Sequence, residues 1–110
     1  MALTKSFKET VAARLRSDPE FKVALLAEGM NALLEGEESV ARLLLRDYVN
    51  GTIGFETLAK QTNIPAKSLM RMLSAKGNPS ANNLFAIIGA LQKGAGVHIS
   101  AVVETLDRAA

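Results

Sequence analysis

Cysteine is missing from this chain, and histidine occurs once, as His98. Without thiols there can be no disulfide framework or thiolate metal site, and one imidazole cannot build a histidine-rich site. No metal or other cofactor is therefore expected, and a reducing cytoplasm fits. Nor does any stretch approach ~18 consecutive apolar residues, and the opening MALTKSFKET lacks the apolar centre of a signal peptide, so neither a membrane span nor export is expected. Aromatic residues are scarce, 5% against 48% apolar residues dominated by Leu and Ala, which favours packed helices over a β-sandwich. With 110 residues there is room for one ordinary core, hence a single domain over residues 1–110. Convergent polar groups of the kind catalysis needs are also lacking, so an enzyme is not expected.

Acidic residues are the last absence, and a local one. Between Thr57 and Val103 there is no Asp or Glu, while Lys60, Lys67, Arg71, Lys76 and Lys93 fall inside that span. The net charge of +2 says little by itself. A region that meets phosphates should nonetheless look like this, because a nearby carboxylate would repel the polyanion. Chance clustering on a solvated surface is the plainer alternative.

Helix signals run along the whole chain. Ser6 with Glu9 fits a capping box opening a helix to about Arg16, with Phe7, Val11 and Leu15 as its stripe. Asp18-Pro19-Glu20 is a stronger start, for a helix carrying Phe21, Leu25, Leu26, Met30, Leu33 and Leu34 to a stop at Gly36. Residues 37–50 read as a third helix with Val40, Leu43, Leu44, Tyr48 and Val49, ended by Gly51 in a left-handed conformation. After two short helices between Phe55 and Lys76, the Gly77-Asn78-Pro79-Ser80 turn leads to a helix with Leu84, Ile87, Ile88 and Leu91 on one face, closed by Lys93-Gly94. Val97, Ile99, Ala101 and Val103 alternate with His98 and Ser100, which favours a strand over 97–103, while Val102, Val103 and Leu106 also fit a short final helix. A lone strand would have to pair with a second copy. The divisions expected are an N-terminal helical extension (1–36), a core (37–94) and a tail (95–110).

The two short helices, TLAKQTNIPAKSLMRMLSAK, have the layout of a helix-turn-helix. In that unit the second helix enters the major groove while the first braces it across the backbone, which restricts the positions where they meet. Counting from Phe55, the fourth, fifth, tenth, fifteenth and eighteenth positions are Leu58, Ala59, Ile64, Leu69 and Met72, all apolar as required. At ~100° per residue, Lys67, Met70, Arg71 and Ser74 share the outward face. Arg71 can bind guanine O6 and N7 together, Lys67 can do similar work or hold a phosphate, and Ala66 and Met70 can touch a thymine methyl. Lys60, Ser68, Lys76, Asn78, Ser80 and Asn82 lie at ends and turns suited to phosphate contacts, although Lys60 and Lys76 could equally be solvated charges and Ser80 a helix cap.

On these residues the chain resembles the antidote-type transcriptional regulators of bacterial toxin-antitoxin (addiction) modules, whose DNA-binding part is of the Cro/C1 (XRE-like) helix-turn-helix class. The matching features are Asp18-Pro19-Glu20, Leu33-Leu34-Glu35-Gly36, the unit from Leu58-Ala59 to Leu73-Ser74, the Gly77-Asn78-Pro79-Ser80 turn and the Val97–Val103 tail. Two positions depart from the pattern: Asn63 replaces the usual turn Gly, and Pro65 stands where many relatives carry a Ser or Thr cap. The resemblance implies a mainly all-α, lambda-repressor-like bundle. It further implies a dimeric repressor on an inverted repeat in its own promoter, and a partner toxin of the RelE/ParE/HigB type. The competing expectation is a helical module that holds a partner protein without reading DNA.

Overall fold

Local capping chemistry sets most of the element boundaries. The computed structural model describes residues 2–107, with side chains from Phe7 onward. Its elements are all helical: α1 (Ala2–Ser17), α2 (Pro19–Leu34), α3 (Glu38–Gly51), α4 (Gly54–Thr62), α5 (Ala66–Met72) and α6 (Ala81–Ala95). The Asp18 side chain accepts from the Phe21 N–H at 3.1 Å, and Pro19 takes the first helical position, where its missing N–H costs nothing. Arg14 closes this corner, donating to Asp18 at 2.8 Å while its guanidinium lies 4.3 Å from the Phe21 ring centroid. The contact with Arg14 and the Phe21 N–H hold the Asp18 carboxyl below its usual pKa.

One continuous core joins all six helices. Leu15, Leu26, Leu45, Tyr48, Val49, Phe55, Leu58, Leu69, Leu73, Ile87 and Leu91 belong to a single buried cluster. Helix α3 is the axis of this arrangement, packing on α1, α2 and α4, while α4 also packs on α5 and α6. Because Leu15 and Leu26 enter the same cluster as Leu69, the two N-terminal helices share the core that supports α5.

Several expected boundaries shift. Helix α1 begins at Ala2, so Ser6 lies within it and cannot be its cap; the expected contact of its hydroxyl falls outside the described side chains. Of that helix's stripe, Leu15 is fully buried and Phe7 is exposed. Gly51 is helical and not left-handed. A Cβ on Gly51 would collide with the Leu15 Cδ1, so its lack of a side chain lets α1 approach α3 closely. The buried face of α3 is Ala41, Leu45, Tyr48 and Val49, and Val40 and Leu43 point out. Helix α6 runs through Gly94 and stops at Gly96, whose φ is 66°.

Residues 97–107 form neither strand nor helix within the chain. Their alternation has another origin. Val97 and Ile99 pack half-buried against the core, and Gln92 tethers the segment, its backbone carbonyl accepting from the Val97 N–H at 3.0 Å and its side-chain oxygen from Ile99 N–H at 2.7 Å. Among the described residues, no helix is long and apolar enough to cross a membrane.

Candidate nucleic-acid interface

The connection between α4 and α5 is three residues long, and its backbone N–H groups are both bonded. Asn63 adopts φ 62°, ψ 27°, the left-handed conformation that Asn tolerates better than other non-glycine residues, and its N–H donates to the Ala59 carbonyl at 2.9 Å. The Thr62 hydroxyl donates to the Leu58 carbonyl at 2.8 Å and accepts from the Ile64 N–H at 3.3 Å. Pro65, with ψ 142°, stands immediately before α5 in the cap position and supplies no side-chain cap; its carbonyl accepts from the Leu69 N–H at 3.0 Å. The two departures in this turn are therefore accommodated by the backbone.

Packing then orients α5. Leu69 and Leu73 are fully buried, as is Leu58 of α4, while Ala59, Ile64 and Met72 pack half-buried against the same core. All five positions that join the two helices thus face inward. Lys67, Met70 and Arg71, spaced i, i+3 and i+4, are consequently exposed together on the opposite side. The other residues expected to read bases are placed differently. Ala66 is half-buried against the core, and Ser74 lies beyond the end of α5, its hydroxyl donating to the Arg71 carbonyl at 2.7 Å.

The C-terminal end of α5 is fixed by a residue that the sequence reading did not single out. Arg42 of α3 reaches across with Nε donating to the Ser74 carbonyl and Nη2 to the Ala75 carbonyl, each at 3.0 Å. These carbonyls lie just past the negative end of a short helix, where a cation is electrostatically favoured. Gly77 completes the exit: a Cβ there would run into the Met72 carbonyl oxygen and stand 2.6 Å from that of Arg71. No periodicity could have revealed Arg42, because its partners are backbone atoms 32 and 33 residues away.

The residues expected at phosphates lie on α4, on α5, in the connection after α5 and at the start of α6. Lys60 is exposed in the last turn of α4, and Lys76 and Asn78 are exposed in the connection to α6. Asn82 is exposed in the first turn of α6, and Ser68 is half-buried on α5. Ser80 is the cap of α6, its hydroxyl accepting from the Asn83 N–H at 3.2 Å. The stretch that carries them holds no acidic residue from Thr57 to Val103. Among the described residues, no group of three or more His, Cys, Asp or Glu side chains is placed to hold a metal ion. Compared with family models, with curated proteins and with solved structures, the chain matches none.

Proposed function

We propose that this chain is a sequence-specific DNA-binding transcriptional regulator, a repressor in which α4 and α5 act as a helix-turn-helix and α5 enters the major groove. The observation that carries the reading is the exposed Lys67-Met70-Arg71 face on a helix held from behind by Leu69 and Leu73 and at its end by Arg42, within an acid-free span. A rigidly held short helix bearing a guanidinium and an ammonium suits groove reading, since Arg can grip guanine through two hydrogen bonds while neighbouring Lys and backbone groups position the duplex. Lys67 and Arg71 are the principal readers in this account, with Met70 supplying apolar contact to thymine.

The repressor acts as a homodimer on an inverted repeat, with half-sites ~34 Å apart. The antitoxin role, with autoregulation of its own operon and a RelE/ParE/HigB-type toxin as partner, rests on the family resemblance alone. Co-purification with the product of the adjoining reading frame tests that part.

Binding to the chain's own upstream DNA, followed by fluorescence anisotropy across a salt series, tests the main reading. Expected is a specific complex that weakens steeply as salt rises, because each neutralised phosphate releases a counterion. A module that only holds a partner protein, the competing reading, would leave the DNA unbound even at low salt.

A further inference from the structure

A groove of about 610 Å³ runs between α2 and α6, away from α5, and its lining includes Val23, Leu26, Met30, Leu34, Phe85 and Ile88. Three of these side chains are strongly exposed: Val23 at 55%, Leu34 at 72% and Phe85 at 66%. Along the groove's edge lies the chain's own segment 97–101, tethered by Gln92. Beyond it the chain continues as VVETLD, with Val102, Val103 and Leu106 exposed at 80%, 96% and 75%. One chain therefore carries both an uncovered apolar groove and an uncovered apolar segment.

We propose that residues 102–107 of one copy seat in the α2–α6 groove of a second copy, reciprocally about a two-fold axis, and that this exchange forms the dimer. Two observations and one symmetry argument carry it. Charge is complementary: among the described residues Lys22 is the only Lys or Arg on the groove lining and no Asp or Glu lines it, while the segment carries Glu104 and Asp107. Length fits as well, since six extended residues span roughly 20 Å, close to the ~24 Å of a 16-residue helix such as α2. Finally, a two-fold contact satisfies donor and acceptor on both chains at once, which a single unrelated partner would not. This deepens the reading of the chain as a dimeric DNA binder, but solution mass tests it independently of DNA.

The experiment is light scattering on the full chain and on two surface variants, Val103→Asp in the segment and Phe85→Glu in the groove, with thermal melts to show that both remain folded. The wild type is expected to be dimeric. Each variant alone is expected to lose self-association by roughly tenfold or more. Mixed in equal amounts, they are expected to recover a heterodimer, because the intact segment of the Phe85 variant still fits the intact groove of the Val103 variant. The charge pair gives a second handle: Lys22→Glu and Glu104→Lys should each weaken the dimer and together restore it. A monomeric wild type, a dimer indifferent to both surface variants, or variants that fail to complement would each overturn the proposal; a partner protein that binds wild type at Phe85 while the chain stays monomeric would reassign the groove. Failure of the DNA-binding reading looks different: the dimer persists and Arg71→Ala changes nothing.

Discussion

Arg42 and Arg71 are both arginines near α5, yet they do opposite work. Arg71 is exposed and, among the described residues, its guanidinium has no hydrogen-bond or ion-pair partner, whereas Arg42 spends two of its donors on the Ser74 and Ala75 carbonyls. Replacing Arg71 with Ala is expected to cost ~1–3 kcal/mol of specific DNA binding and to relax preference at one base pair. Replacing Lys76 with Ala should weaken all sequences alike and lower the salt slope by about one unit. Arg42→Met keeps the stem but drops both hydrogen bonds, so stability should fall by about 1 kcal/mol, and DNA affinity should fall with it although Arg42 reaches no base. Thermal melts paired with titrations of operator against scrambled DNA separate the three cases. Asp47 is distinct, since burial raises its pKa while Lys8 and Arg46 pull it back down. A group with a raised folded pKa contributes stability below its unfolded pKa and loses that contribution as pH rises through the folded value. Asp47→Asn should therefore melt higher than wild type at neutral pH, and the gap should close in acid.

At the scale of elements, α5 is too short to hold its own conformation and depends on what surrounds it. Gly77→Ala probes that dependence directly. Its methyl group would meet the Met72 carbonyl, so the exit from α5 must shift, at an expected cost of ~1–3 kcal/mol in denaturant unfolding. Elements whose ends are set by local chemistry were legible in the sequence: Asp18 and Ser80 cap as their spacing implies, and Asn63 takes the left-handed turn. Helix α3 was less so. Its apolar residues outnumber its buried positions, and which of Val40, Ala41, Leu43 and Leu45 turn inward depends on α1 and α2 packing against it. In the tail, alternation of Val97 and Ile99 with polar neighbours marks one face laid on the body, a pattern that a paired strand would also produce. On α5 itself the outward set of Lys67, Met70 and Arg71 could be read from helical period alone, whereas Ser74 fell off the face because the helix stops at Met72.

For the whole molecule, the single core that links Leu15 and Leu26 to Leu69 means that the N-terminal helices support the same unit that presents Arg71. A dimer then doubles the presented face, and binding to an inverted repeat should exceed binding to one half-site while keeping about the same salt slope per half-site. Shortening or lengthening the spacer by half a DNA turn should remove that gain, because the second α5 would meet the wrong side of the duplex. The most direct measurement of the central claim is anisotropy of wild type and Arg71→Ala on the chain's own upstream DNA and on scrambled DNA, at low and raised salt. Expected are specific, salt-sensitive binding by wild type and loss of sequence preference in the variant. Equal binding of both proteins to both DNAs, or no binding at low salt, would contradict it.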